Sequence, residues 1–150
     1  MSSVARGLVV LIPSLAARPA RFVLVGATGV GVSTGVLWLS TRGMGLPTLW
    51  GGILASVLST FTNFLLNDRF TWRDRREMGW RAWAGRLHRY YVTTALGNLI
   101  YLGVLSALVH LVSLFDLLAN FIAIGSGGAF NYVLHNLWTW RTGERIRRRH

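Results

Sequence analysis

The stretch Asn63-Phe-Leu-Leu-Asn-Asp-Arg-Phe-Thr-Trp-Arg73 ends a long apolar segment and begins a basic one. A related stretch, Asn131-Tyr-Val-Leu-His-Asn-Leu-Trp-Thr-Trp-Arg141, follows 68 residues later. The two stretches share their first Asn and their final Thr-Trp-Arg, and an aromatic residue precedes each Thr. An abrupt change from apolar to basic residues is typical of the boundary between lipid and cytoplasm. We therefore interpret each stretch as the end of a repeated two-helix unit at a membrane surface.

The repeat extends well beyond these two stretches. With the same offset and no gaps, residues 21–73 align with residues 89–141. The identical pairs include Arg21/Arg89, Ala27/Ala95, Gly29/Gly97, Gly35/Gly103 and Ala55/Ala123. Two unrelated apolar helices match readily at leucine, but not at Asn, Thr-Trp-Arg and a leading Arg. Since each unit contains two spans, the second unit begins on the same side as the first, which predicts parallel repeats.

The composition places the chain in a membrane. Its mean hydropathy of +0.42 and apolar fraction of 52% are high for a soluble domain, and its 150 residues fit one domain. The chain has no cysteine, which excludes disulfides and thiolate metal sites. Arginine alone carries the basic charge behind the net +11. Because the arginines flank the apolar spans, we do not expect nucleic acid as a partner.

The apolar and basic segments alternate along the chain. Four apolar segments near the length that crosses hydrocarbon lie at about residues 22–41, 48–66, 91–112 and 117–137. We predict an N-terminal interfacial segment (1–20), a basic amphipathic linker helix on anionic lipids (74–88) and a basic tail (142–150). All arginines except Arg42 lie on one side of the spans, so both termini are expected in the cytoplasm. The predicted fold is an all-α membrane protein with four transmembrane helices in two parallel two-helix repeats.

The sequence offers little for catalysis. We find no Ser-His-Asp arrangement, histidine cluster or phosphate-binding glycine loop, so we predict a transporter or accessory protein without cofactor, metal or catalytic residues. The acidic residues lie outside the middle of the spans. A proton-coupled exporter of the small-multidrug type normally needs a buried carboxylate there, which disfavours that class.

The polar residues at the cytoplasmic boundary are the candidate binding residues. Five arginines are expected to face a phosphate: Arg21, Arg69, Arg73, Arg89 and Arg141. Eight residues are expected to contact a polar head group: Asn63, Asn67, Thr71, Trp72, Asn131, His135, Thr139 and Trp140. Two alternatives stay open: Asn63 and Asn131 could hydrogen-bond across helices, and the tryptophans could form an aromatic belt.

These features resemble a known family. Four short spans, an initial Arg-Phe with a glycine-rich first helix, and a helix ending Asn-Phe-Leu-Leu-Asn-x-Arg-Phe-Thr-Trp-Arg are similar to the GtrA-like family of small bacterial membrane proteins. The resemblance covers about residues 20–141. In the second unit Tyr132, His135 and Leu137 depart from the family pattern.

The resemblance implies a role in cell-surface polysaccharide synthesis. Members of the family are thought to move polyprenyl-phosphate-linked sugars from the cytoplasmic to the outer leaflet, often beside a membrane glycosyltransferase. The expected location is the bacterial inner membrane, and a homo-oligomer is expected because small residues line the helix faces. The alternative role is a membrane scaffold that recruits a polyprenyl-phosphate glycosyltransferase.

Overall fold

The structure, a computed structural model, describes the backbone of residues 3–141 and the side chains of residues 17–141. Its long helices are α1 (Ser3–Trp38), α2 (Thr48–Leu66), α3 (Trp80–His110) and α4 (Asp116–Leu134), and the described chain contains no strand. Four segments are long and apolar enough to cross a membrane: Ala17–Gly43, Thr48–Thr71, Trp80–His110 and Asp116–Thr139. The predicted all-α fold with four spans is thus confirmed. Most side chains of the predicted segment 1–20 and all of the tail 142–150 lie outside the described residues.

The chain divides into two compact units, Met1–Arg76 and Glu77–His150. The first unit contains a hairpin of α1 and α2, and the second contains a hairpin of α3 and α4. Helix α2 (Thr48–Leu66) and helix α4 (Asp116–Leu134) have bounds that differ by the 68 residues of the sequence repeat. The second helices of the two units therefore match at both ends, whereas the bounds of the first helices, α1 and α3, do not correspond.

Helices α2 and α4 each end in a wide π turn, at Asn67–Thr71 and His135–Thr139. The N–H of Trp72 donates to the carbonyl of Asn67 at 2.9 Å, and the N–H of Trp140 donates to that of His135 at 3.0 Å. A π turn adds a residue to the helical turn and redirects the side chains that follow, and such turns are frequent at functional sites. Both signature stretches found in the sequence thus contain the same unusual backbone feature.

The basic stretch 74–88 differs from its prediction as a separate amphipathic helix. A short 3-10 turn covers Arg73–Arg75, and Gly79 adopts a φ of 107° that favours glycine. Helix α3 then begins at Trp80 and continues without interruption to His110. No proline lies between residues 80 and 110, so no residue of that type breaks the helix between its basic first turns and its apolar remainder. Residues 80–88 therefore form the first turns of the third long helix.

Small residues form the seam of each hairpin. Ala55 exposes 2% of its surface in the first unit, while Ala119 and Ala123 are fully buried in the second. Large apolar side chains instead lie on the outside, with Leu24 66% and Phe121 71% exposed. This distribution suits helices that pack closely on small residues and present their bulky side chains to lipid.

Candidate functional site

Each hairpin contains an aromatic lock behind its π turn. In the first unit the buried Trp72 packs edge-on against Phe22, with ring centroids 5.8 Å apart. The hydroxyl of Thr71 donates to the side-chain oxygen of Asn67 at 2.7 Å. The packing of Phe22 against Trp72 joins the beginning of the first span to the end of the second. The hydrogen bond between Thr71 and Asn67 lies within the π turn itself.

The second unit repeats this lock with a histidine. Trp140 packs edge-on against Tyr90 at 5.7 Å, and the ring of His135 stacks on Tyr90 at 4.3 Å. The Nδ1 atom of His135 lies 3.0 Å from the hydroxyl of Thr139. This pair corresponds to the pair of Asn67 and Thr71 in the first unit. The departure of His135 from the family pattern is accommodated by an added aromatic stack.

The residues of the two aromatic locks are buried. Trp72 exposes no surface, and the other lock residues expose only 1% each: Asn67, Thr71, His135, Thr139 and Trp140. The burial indicates that these six residues stabilise the ends of the hairpins. The head-group contact expected of each of them stays a prediction, as does an aromatic belt of Trp72 and Trp140.

The two signature asparagines face glycines of the neighbouring helix. Asn63 lies against Gly29, and Asn131 lies against Gly97. Each glycine is needed because a Cβ atom there would overlap the asparagine side chain. The Oδ1 atoms of both asparagines are buried and accept no hydrogen bond among the described residues. The interhelical hydrogen bonds considered for these oxygens are therefore absent from the described chain.

A basic groove of about 840 Å³ opens between the middle of α1, at residues 18–28, and the end of α2 with the turn that follows it. Its lining contains four arginines and one aspartate: Arg18, Arg21, Arg69, Arg73 and Asp74. The formal excess of three positive charges makes this groove a favourable environment for an anion. The structure thus brings together three of the five arginines that the sequence predicted to face phosphate.

The groove arginines fall into two pairs. Arg18 is held by an ion pair with Asp74, and Arg21 donates to the carbonyl of Phe70 at 3.3 Å. Arg69 and Arg73 are exposed, and neither has a hydrogen bond or ion pair within the described residues. Two guanidinium groups are thus fixed by the protein, and two keep all five N–H donors for a ligand.

The remaining wall of the groove is apolar. Leu24, Val25, Leu66 and Phe70 line it beside the hydroxyl of Thr28. The side chain of Phe70 is 59% exposed. A ligand with an anionic head and a hydrocarbon tail would find a charged surface and an apolar surface in one groove.

The second unit does not repeat the groove arginines in full. Leu137 occupies the position that corresponds to Arg69, and Arg141 is exposed. Arg89 is half-buried and donates to the carbonyl of Thr139 at 3.4 Å, although its Nε atom has no partner in the described chain. The predicted phosphate role of Arg89 and Arg141 therefore has weaker geometric support than that of the first unit.

Two groove residues were absent from the sequence prediction. Arg18 lies one helical turn before Arg21, so the spacing of three residues indicated a shared face. The position of Asp74 carried no such signal, because its partner lies 56 residues earlier in the chain. Within residues 17–141 no group of three His, Cys, Asp or Glu side chains could hold a metal ion.

Four apolar spans in two repeated hairpins, with a basic groove at the end of the first, define a multi-pass membrane protein. Residues 21–140 match the family described as GtrA/DPMS, transmembrane domain. The chain belongs to this family, in agreement with the resemblance of its signature stretches.

A curated relative extends the comparison. The chain is 30% identical over 125 residues to a protein of Pyrococcus furiosus named dolichol-phosphate mannosyltransferase. The alignment covers 83% of this chain but 34% of the relative. The chain thus spans about a third of the length of that relative.

Proposed function

We propose that this protein moves a polyprenyl-phosphate-linked sugar from the cytoplasmic to the outer leaflet of the bacterial inner membrane. The observation that carries the proposal is the basic groove, in which Arg69 and Arg73 lie unpaired beside an apolar wall. Membership of a transmembrane-domain family that includes part of a dolichol-phosphate mannosyltransferase supports this class of lipid. The product would serve the synthesis of cell-surface glycans.

The phosphate of the lipid would bind first. Arg69 and Arg73 can donate charge-assisted hydrogen bonds to it, and the planar guanidinium group suits two phosphate oxygens at once. Arg18 and Arg21 would contribute positive charge from fixed positions. The polyprenyl chain would lie along Leu24, Leu66 and the membrane, so only the polar head needs protein contacts.

The sugar would follow the phosphate into the hairpin. Asn63 lines a cleft of about 310 Å³ together with the hydroxyl residues Ser33, Thr34 and Ser59. Ser59 already donates to the carbonyl of Gly29 at 2.8 Å, whereas the Oδ1 atom of Asn63 has no donor in the described chain. A sugar hydroxyl could donate to that oxygen and offset the cost of burying it.

A reconstituted transport assay tests the proposal. Proteoliposomes would contain a labelled polyprenyl-phosphate hexose, and a membrane-impermeant oxidant would report how much of it changes leaflet. We expect faster, saturable transfer than in protein-free vesicles. Arg69→Gln combined with Arg73→Gln should slow transfer at least about tenfold, because each charge-assisted hydrogen bond contributes about 1.5–3 kcal/mol.

The exposed Arg81 provides a matched control for this assay. Arg81 belongs to the second unit and does not line the groove, so Arg81→Gln removes the same type of charge and should leave transfer unchanged. Transfer that is no faster than in empty vesicles would refute a flippase. Equal loss in the control and in the groove variant would refute the phosphate role of the groove.

The second candidate is a scaffold that recruits a polyprenyl-phosphate glycosyltransferase. The relative named dolichol-phosphate mannosyltransferase has about two thirds of its length outside the match, which favours a membrane domain that works beside a catalytic one. The start of α3 offers a docking surface, since Trp80 is 74% exposed and stacks on Trp83 at 5.1 Å. Arg86 is unsuited to docking because it is buried and donates to the carbonyl of Glu77 at 2.9 Å.

Substitution at the start of α3 tests the scaffold better than deletion, which would shorten a spanning helix. Trp80→Ser with Arg81→Gln should abolish copurification of the glycosyltransferase from native membranes and leave proteoliposome transfer intact. Retention of the enzyme by this variant would contradict docking at α3.

We also propose that the chain forms a homo-oligomer in a membrane rich in anionic lipids. Gly31 and Gly35 have no neighbour that an added Cβ would meet, so this face of α1 is open to close helix packing. The mass of the protein in native membrane particles measures this directly, and a monomer there would overturn it.

A further inference from the structure

The second hairpin contains a pocket at the end opposite to its basic residues. It has a volume of about 500 Å³ and lies where α3 ends and α4 begins. Four polar side chains line it: Ser106, His110, Asp116 and Asn120. This volume falls within the range of about 300–1,000 Å³ that is common for small-ligand sites. The charge distribution of the sequence places this end of the hairpin on the outer side of the membrane.

One polar group of the pocket is oriented by the protein. The hydroxyl of Tyr101 donates to the Oδ1 atom of Asn120 at 2.9 Å. The amide is therefore fixed with its oxygen occupied and its NH₂ group left to donate. Asp116 does not cap α4, because that helix has no side-chain cap at its start. Neither His110 nor Asp116 has a hydrogen bond or ion pair within the described residues.

The chemistry of this pocket differs from that of the basic groove. No arginine lines it, and Asp116 carries a negative charge that repels phosphate. An amide donor, a hydroxyl, an imidazole and a carboxylate are groups that hydrogen-bond to the hydroxyls of a neutral sugar. The rest of the lining is apolar and includes Leu102, Leu105 and Leu117, which would contact the hydrocarbon part of a lipid.

The polar set is specific to the second hairpin. At the corresponding positions of the first hairpin, 68 residues earlier, the chain has Trp38, Arg42, Thr48 and Gly52. The two units therefore differ in opposite ways. The first has the fuller set of phosphate-binding arginines, and the second has the neutral polar pocket.

We propose that the pocket lined by Ser106, His110, Asp116 and Asn120 binds the sugar of the polyprenyl-phosphate-linked lipid on the outer side of the membrane. The proposal rests on the flippase function proposed above, for which it supplies a site of release. A lipid that has left the arginines of the basic groove would still have its sugar bound in this pocket, while the negative charge of Asp116 would repel its phosphate. The loss of phosphate affinity at this site would then favour departure into the outer leaflet.

Site-specific photocrosslinking tests the pocket. A photoreactive phenylalanine analogue would replace Leu117, which lines the pocket and is 60% exposed. The matched control carries the analogue at Leu49, the repeat counterpart of Leu117, which is 72% exposed. The probes are radiolabelled polyprenyl phosphates carrying mannose, glucose or galactose, and bare polyprenyl phosphate, each in proteoliposomes.

We expect at least one sugar lipid to label position 117 more strongly than position 49, and bare polyprenyl phosphate to label position 117 no more strongly than position 49. Asn120→Leu should reduce the sugar-dependent labelling about fivefold, as expected for the loss of one hydrogen bond. Ser106→Ala should reduce it in the same direction without disturbing the bond between Tyr101 and Asn120. Equal labelling at both positions by every probe would overturn the proposal.

The test separates the pocket from the transport function. Transfer in the proteoliposome assay without sugar-dependent labelling at Leu117 would overturn the pocket and keep the flippase. Sugar-dependent labelling without transfer would keep the pocket as a lipid-binding site and overturn the flippase. Labelling that is unchanged in both the Asn120→Leu and Ser106→Ala variants would show that the polar groups do not recognise the sugar.

Discussion

The contact between Gly29 and Asn63 gives a quantitative prediction about stability. An added Cβ at Gly29 would lie 2.6 Å from the Oδ1 atom and 2.8 Å from the Cγ atom of Asn63. The Nδ2 atom of Asn63 would be closer still. Ordinary separations between non-bonded atoms begin at about 3.5 Å, so Asn63 would have to move by roughly 1 Å or more within its hairpin. We expect Gly29→Ala to introduce an overpacking penalty of about 1–3 kcal/mol in the free energy of unfolding.

The control for this substitution is Gly31→Ala on the same helix. An added Cβ at Gly31 meets nothing within 4 Å. Both substitutions change helix propensity equally, by about 1 kcal/mol in favour of alanine. The difference between the two variants therefore isolates the clash, and Gly29→Ala should be less stable than Gly31→Ala by about 1–3 kcal/mol.

Unfolding in mixed micelles with increasing sodium dodecyl sulfate, followed by circular dichroism, measures this difference. Asn63→Ala removes the atoms that the new methyl group would meet, so the double variant with Gly29→Ala should regain most of the lost stability. Such coupling lies in the range of about 0.5–3 kcal/mol for residues in contact. Equal stability of the Gly29→Ala and Gly31→Ala variants would refute the close approach, as would the absence of rescue.

Two further predictions concern the groove and the aromatic lock. Asp74→Asn removes the carboxylate that pairs with Arg18, so it should raise the affinity of the protein for vesicles containing polyprenyl phosphate several-fold. The increase is limited because exposed ion pairs contribute only about 0–1 kcal/mol. Vesicle flotation measures the affinity, and equal binding by the variant and the wild type would refute the idea that Asp74 competes with the phosphate for Arg18. Trp72→Ala should lower the free energy of unfolding by about 3–5 kcal/mol, because the ring is fully buried. The exposed Trp80 is its control, and equal losses for the two alanine variants in the same unfolding assay would contradict the lock.

The spans could be predicted from the sequence because hydropathy and charge act locally. An apolar segment about 20 residues long needs a hydrocarbon environment whatever its neighbours are. The repeat offset predicted more, since Asn63 and Asn131 lie in the last turns of matching helices, and Thr71 and Thr139 end matching π turns. The groove brings Arg21 together with Arg69 and Arg73, which agrees with the expectation that these arginines share one side of the membrane.

Only the tertiary structure decided which side chains are accessible. Trp72 stands between Thr71 and Arg73 in sequence, yet it is buried while Arg73 is exposed. The π turn and the packing of Phe22 determine that difference, and neither can be read from composition. The pairing of Arg18 with Asp74 likewise joins residues at the two ends of the first unit.

The sequence by itself therefore determined a membrane protein with four spans and two repeats. The tertiary structure decided that Asn63 faces a glycine, that Trp72 is part of the interior, and that one hairpin carries the basic groove. The physical reason is that transfer into lipid depends on each segment alone, whereas burial and ion pairing depend on which helix faces meet.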